Sequence, residues 1–441
     1  MKKLNFIIKC GLALLLLSFY SCESWLNVTP SDRLSEEMLF NDREGFVKAL
    51  NGVYIELNTN ELYGRNLTAG ALDVMGQYYS VASSSHAFYN YGGLVYTGND
   101  EKALFDNMWQ KCYAVIACCN TIIEKCDENK AGLSPVWRGS IKGEALALRA
   151  MLHFDMLRLF GPLTSELDKE SIPYQTNSDQ TVTPLLSGSE VVGLILDDLK
   201  NAVGLLKDTD PYFVEEEFSD TDLNYRRFRM NYFAAKGLMA RVQLWGGDKE
   251  KAAATAKEVI AEGQAEGAEF FPFVTNSEAT SSNPDRVFYS EVLFGTYHSS
   301  REKLHEDLFA PTLESTSILT LAGTARRDDL YDNENDYRYS VWSTYNKNGT
   351  SVLYHRKFEK QDNVTASRQY MIPLIRMSEM YLIAVECCKL DEASVYLNTF
   401  RNARNCNSLA LTEDNRINIL ANEYKKEMLG EGQLFFFYKR Q

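Results

Sequence analysis

"LFDNMWQKCYAVIACCNTIIEKC", residues 104–126, sets the rhythm from which the fold is read. Phe105, Trp109, Cys112, Ile116, Cys119, Ile123 and Cys126 recur at steps of three and four, the period of one helical face. The spacing predicts an amphipathic helix over 104–126 whose apolar stripe, Trp109 and Tyr113 included, faces a core. Cys112, Cys119 and Cys126 sit seven apart on that stripe, where a free cysteine serves as a small buried hydrophobe. A zinc site would draw on short C-x-x-C turns, and the chain has none. Cys118, Cys387, Cys388 and Cys406 bring the cysteines beyond residue 22 to an odd number, which argues against a disulfide framework.

The same period continues on both sides. Helices are predicted from Glu36 to Asn58 with Ser35 as cap, and from Ser134–Pro135 through "IKGEALALRAMLHFDMLRLF" to Gly161–Pro162. Further helices are predicted over Ser189 to Leu206, over Arg229 to Trp245, and from Asp248 through "KEKAAATAKEVIAEG". A second block, "IPLIRMSEMYLIAVECC", "LDEASVYLNTFRNARN" and "DNRINILANEYKKEMLGEG", closes the chain. Pro373 is expected in a first helical turn and Leu390–Asp391 in a tight turn between helices. Alanines stand where helices would cross: Ala145, Ala147, Ala150, Ala234, Ala235, Ala240 and Ala384. Paired helices that cannot bury their own faces stack into a superhelix. The expected fold is therefore mainly α: a tetratricopeptide-like helix-pair superhelix with long irregular insertions and minor β. Its helical core covers about 36–262 and 371–432.

Two stretches break the rhythm, at about 64–101 and 270–370. Long insertions in a compact domain are functional or disordered, and these hold too many rings for a disordered linker. The whole chain has 441 residues with 25 Tyr, 23 Phe and 5 Trp, 45% hydrophobic and 24% charged, with a net charge of -14. Nucleic-acid binding needs a basic footprint, so that class is excluded. At the start, Lys2 and Lys3 precede an apolar run from Phe6 to Leu17, the shape of a secretory signal over 1–21. "LLLLSFYSC" (14–22) resembles a bacterial lipoprotein box, so Cys22 is expected to carry the lipid, acyl chains such as palmitate anchoring the body 22–441 as one domain.

Several motifs together resemble the SusD/RagB family of Bacteroidetes outer-membrane lipoproteins. They are "CESWLNVTPSDRLSEEMLFNDREGFVKALNGVY", "MWQKCYAVIACCNTIIE", "EALALRAMLHFDMLRLFGPL", and "IPLIRMSEMYLIAVE" followed by "LNTFRNARN". The late helix departs from the family pattern at Asn422-Glu423-Tyr424 and Glu431-Gly432-Gln433. The resemblance implies a lipid-anchored protein on the outer face of the cell outer membrane. It would bind oligosaccharide and hand it to a SusC-like TonB-dependent transporter. Peptide is the alternative cargo in the family, and a helical scaffold that binds only protein is the alternative class.

No catalytic signature competes with that expectation. There is no Gly-x-Ser-x-Gly, no phosphate-cradling loop and no His-Glu-x-x-His. Asp197-Asp198 and Asp328-Asp329 are adjacent acids with no glycosidase spacing signal. His153 reads as a satisfied core residue. Glu379, Glu386, Arg376, Arg401 and Arg404 read as an ion-pair network between two neighbouring helices. A sugar presents apolar C–H faces beside hydroxyls, so rings next to amides and acids are the natural binders. The insertions offer Tyr78, Tyr79, Tyr89, Asn90 and Tyr91 in the first, and Tyr339, Trp342 and Tyr345 in the second. These eight are the expected ligand-binding residues, with their rings exposed in loops.

Overall fold

The computed structural model describes residues 36–441 apart from 82, 180 and 268. The signal segment, Cys22 and the Ser35 cap lie outside the described residues. The first helical stretch is broken into α1 (Glu36–Leu39) and α2 (Arg43–Leu57), not continuous to Asn58. The break comes at Asp42, whose carboxylate accepts from the Gly45 amide at 2.8 Å and restarts the helix. A Cβ on Gly45 would stand 1.5 Å from the Leu39 carbonyl oxygen, so the tight corner needs glycine there.

The insertion at 64–101 holds two short helices, α3 (Ala71–Met75) and α4 (Tyr89–Gly92). Then come the long pair α5 (Asn99–Glu128) and α6 (Pro135–Phe160). Ser134 caps α6 by accepting from the Trp137 amide, Pro135 occupies its first turn, and Gly161 ends it, as the sequence indicates. A hairpin of β1 (Glu170–Pro173) and β2 (Leu185–Ser187) leads into α7 (Gly188–Thr209), opened by a Ser187–Glu190 capping box. A Cβ on Gly143 of α6 would meet Leu206 of α7 at 2.8 Å, which is how closely these helices approach.

A loop holding α8 (Asp220–Asn224) precedes α9 (Tyr232–Trp245), which starts three residues later than the pattern suggests because the Asn231 side chain caps it. α10 (Lys249–Gly263) is capped by Asp248. α6 packs on α5 and α7, α9 on α7 and α10, and α10 on α15 (Met377–Cys387) of the second block. The two helical blocks therefore stack as one superhelix across the insertion between them. The seven alanines at the expected crossings are all fully buried.

The insertion 270–370 is more ordered than expected. It carries α11 (Asn276–Thr280), β3 (Val292–Tyr297), α12 (Arg301–Leu308), α13 (Thr324–Leu330), the hairpin β4 (Trp342–Lys347) and β5 (Thr350–His355), and α14 (Ala366–Tyr370). β6 (Met371–Arg376) follows and pairs antiparallel with β3. Pro373 thus lies in a strand, not in a first helical turn. "MIPLIR" is buried on both faces, and apolar on both faces is a strand pattern that helical periodicity does not distinguish. The chain ends with α16 (Leu390–Ala403), α17 (Glu413–Glu427) and α18 (Gln433–Lys439). The break before α16 falls at Cys388–Lys389, two residues earlier than expected.

The charged network is real, but its partners differ from those expected. Glu379 pairs with Arg241 of α9 and Glu386 with Arg440. Arg376 and Arg404 converge instead on Glu427 of α17, and Arg404 also holds Glu291 at 2.6 Å. Arg338 reaches Glu427 at 3.1 Å. Three guanidiniums around one buried carboxylate hold Glu427 well below the usual carboxylate range despite burial. Trp109 is half-buried, not central: it stacks on Tyr113 at 4.7 Å and meets Phe160 edge-on at 5.1 Å. Cys112, Cys119 and Cys126 are fully buried, and burial pushes the Cys126 thiol up to about 12. His153 is buried with its Nδ1 against the Arg149 carbonyl and its Nε2 accepting from the Gln175 amide, and burial lowers it to about 3.

Candidate ligand-binding groove

The two insertions meet. The Ser80 amide donates to the Thr320 carbonyl at 2.8 Å, and the Thr320 hydroxyl donates to the Leu353 carbonyl at 2.5 Å. The Lys347 ammonium at the tip of the β4–β5 hairpin donates to the Thr312 and Leu313 carbonyls and to Glu314, at 3.1, 3.0 and 2.8 Å. These contacts frame a cavity of about 460 Å³ with Ile318, Leu321, Val352 and Leu353 as apolar wall and Ser80, Lys347, Asn348 and Ser351 as polar rim. Leu321 also borders a second cavity of about 270 Å³, lined by Gln77, Tyr78, Arg326, Asp329, Asn422 and Lys425. An apolar wall with a few convergent donors and acceptors is the usual make-up of a small-ligand site.

Beneath the groove lies a buried support. Trp342 meets the His355 ring edge-on at 5.6 Å, and its indole N–H donates to the Tyr331 hydroxyl at 3.3 Å. His355 packs on Phe309 at 3.7 Å and stacks on Tyr79 at 6.1 Å. Burial drives His355 well below its usual value, so it sits there neutral. The Tyr79 hydroxyl donates to Asp73 at 3.2 Å, and the same carboxylate accepts from the Gly430 and Gly432 amides at 2.6 and 2.9 Å. Burial outweighs those donors and the nearby Lys357 ammonium and raises Asp73 to about 7.

This geometry sorts the eight expected residues. Tyr78, Tyr79, Tyr91 and Trp342 are buried, contrary to the expectation of exposed loop rings. The insertions fold back on the helical body, and a ring with an apolar face and one polar tip is a good pin for such a segment. Tyr78 still lines the smaller cavity, with its hydroxyl shared between the Tyr424 and Lys425 carbonyls. Tyr345 is 44% exposed and stands directly across the hairpin from Val352, which lines the larger cavity. Tyr339 is half-buried, donates to Asp328 and lies under Arg327, at the edge of the helix that carries Arg326 and Asp329. Tyr89, Asn90 and Tyr91 form a separate cluster: Asn90 donates to Glu101 at 2.9 Å, Tyr91 packs on Phe88 and Phe105, and Tyr89 is exposed. The lining missed from sequence is polar: Gln77, Ser80, Arg326, Asp329, Lys347, Asn348, Asn422 and Lys425. Residues of these types are common on any surface, and only the fold brings these together. Among the described residues, no group of three or more His, Cys, Asp or Glu is placed to hold a metal ion. No described helix is long and apolar enough to cross a membrane.

Comparison with known proteins follows the same lines. The family model described as "Starch-binding associating with outer membrane" matches residues 24–244, and that of the SusD family matches residues 282–441. The chain is 25% identical over 265 residues to a SusD-like protein P2 of Formosa agariphila, covering 58% of this chain and 46% of that one. It is 30% identical over 146 residues to a SusD-like protein of Bacteroides ovatus, covering 32% and 23%. The matched part thus spans less than half the length of these curated relatives. Among solved structures, a SusD-like carbohydrate binding protein from Bacteroides vulgatus superposes with a TM-score of 0.70 at 23% identity, over 89% of this chain and 82% of that one. A laminarin binding SusD-like protein superposes with a TM-score of 0.63 at 17% identity, over 90% of each. At these identities the superpositions speak for the fold, and with the two matched models they lead to one conclusion: the chain belongs to the SusD/RagB family.

Proposed function

We propose that this protein binds an oligosaccharide in the groove between its two insertions, without cleaving it, and passes it to a TonB-dependent transporter of the outer membrane. The observation that carries the reading is a cavity of ligand size with apolar wall and polar rim, in a SusD-family chain, where Ser80 of the first insertion meets Thr320 of the second. Relatives support the ligand class: starch binding for the family model, laminarin and carbohydrate for two structural neighbours. The chemistry fits, since the Tyr345 ring offers a stacking face, Lys347 and Asn348 offer donors, and Ser80 and Ser351 serve both ways.

Calorimetric titration of the soluble body with starch- and laminarin-derived oligosaccharides, beside a peptide panel, tests the reading. We expect saturable binding of a glycan in the range of about micromolar to millimolar. Tyr345→Ala should weaken it roughly two- to ten-fold, the loss of one stacking ring. Heat from peptides alone would transfer the groove to peptide cargo, and heat from neither would leave a protein-binding scaffold. The lipid anchor and the outward-facing location at the outer membrane belong to the same proposal. The mass of the mature N-terminus checks them: an acylated Cys22 is expected, and an unmodified start at another residue refutes the anchor.

A further inference from the structure

A second cleft shares no lining residue with that groove. Where α2 ends, the loop after α8 and the end of β3 come together around a cavity of about 360 Å³. A neighbouring cavity of about 190 Å³ continues it toward the start of α6, and the two share Asn51, Tyr225 and Arg229. The floor is rigid. Arg229 donates to Glu144 at 3.0 Å and to Asn51, and its guanidinium lies 4.4 Å from the centre of the Tyr54 ring. Glu144 also receives the Tyr54 hydroxyl at 2.6 Å and is bound by the buried Arg226.

The walls are aromatic. Tyr225 is 40% exposed and meets half-buried Tyr297 at 6.1 Å with the ring planes 62° apart. At the far end Trp137 lies against Phe218 at 4.6 Å. Three polar atoms among the lining residues are buried and have no hydrogen-bond partner in the protein: Asn58 Oδ1, Thr296 Oγ1 and Trp137 Nε1. Thr296 is 2% exposed. A buried polar group without a partner costs free energy comparable to a lost hydrogen bond, and native structures hold few of them. Here an acceptor, a hydroxyl and an indole donor, all without partners, occur along one ring-walled cleft.

We propose that this cleft is a second carbohydrate subsite, taking one or two pyranose rings. The C–H face of a sugar stacks on Tyr225 and Tyr297, and its hydroxyls engage Thr296, Asn58 and Trp137. Only the ligand class rests on the proposed function; the site itself rests on the cleft.

The two sites separate by ligand size and by variant. Saturation-transfer NMR with maltose and laminaribiose as probes, on the full soluble body, reports occupancy of the cleft. Thr296→Val keeps the side chain's shape and removes a hydroxyl that bonds to nothing in the free protein, so the melting temperature should hold or rise. The same change should weaken disaccharide binding at least ten-fold, as should Tyr225→Ala, while Tyr345→Ala leaves this component intact. Disaccharide binding that is unchanged in both Thr296→Val and Tyr225→Ala overturns the cleft, as does absence of transfer from either disaccharide. A loss of melting temperature in Thr296→Val also overturns it, because the hydroxyl would then be serving the fold. None of these outcomes touches the groove, which stands or falls on the oligosaccharide titration and on Tyr345→Ala.

Discussion

Trp342 and Tyr345 sit three residues apart on one strand and have opposite duties. Trp342 is buried against His355 and bonded to Tyr331, so it holds the hairpin to the body. Its truncation removes a large packed ring and strands the Tyr331 hydroxyl. Trp342→Ala should cost roughly 3–5 kcal/mol of stability, read as a lowered melting temperature together with weakened glycan binding. Tyr345→Ala removes a ring that is nearly half exposed and should change stability by only about 0.5 kcal/mol or less. The same thermal melts on both variants decide the point. An unshifted melt for Trp342→Ala would mean that the hairpin is held by its backbone bonds alone.

At the level of elements, helical period was enough to place α5, α6, α7, α9 and α10, with the caps of α6 and α10, because apolar stripes and capping residues are local signals. The errors are also local in kind. β6 reads as helix from sequence since "MIPLIR" is apolar throughout and carries no period of its own. The break between α1 and α2 depends on an aspartate cap and one glycine inside an otherwise periodic run. The charged residues read as a network between neighbouring helices, and in the fold they do form a network, with other partners. Sequence distance favours neighbours such as α15 and α16, whereas Glu427 gathers arginines from β6, from the end of α16 and from the segment before β4. The candidate groove was legible as two insertions. Its lining was not, because rings that look like binders in sequence are also the best pins for a loop on a helical body.

For the molecule as a whole, Asp73 ties the first insertion to the end of the helical core. Burial raises its folded value to about 7, against about 3.8 for an unfolded aspartate. Between those values the folded chain holds a proton that the unfolded chain has released, so raising the pH through that window favours unfolding. Buried histidines such as His153 and His355, lowered in the fold, act in the opposite direction as pH falls, and they cancel in a comparison with Asp73→Asn. The stability of the wild type relative to Asp73→Asn should therefore fall as pH rises from about 4 to about 7, by at most about 1.4 kcal/mol per pH unit, and level off above that. Urea titrations of both proteins across that range test it, and a flat difference would place the ionised form in the folded state throughout.

The two amides that reach Asp73 belong to Gly430 and Gly432, more than 350 positions along the chain. Contacts of such long sequence separation form late, since the intervening loop must close before they reward it. The superhelix can stack progressively from its local pairs, but the platform under the groove is complete only once residues 430–432 have docked. In a refolding experiment, helix signal should therefore recover before glycan affinity, and the lag between the two would time the arrival of the chain's last helices.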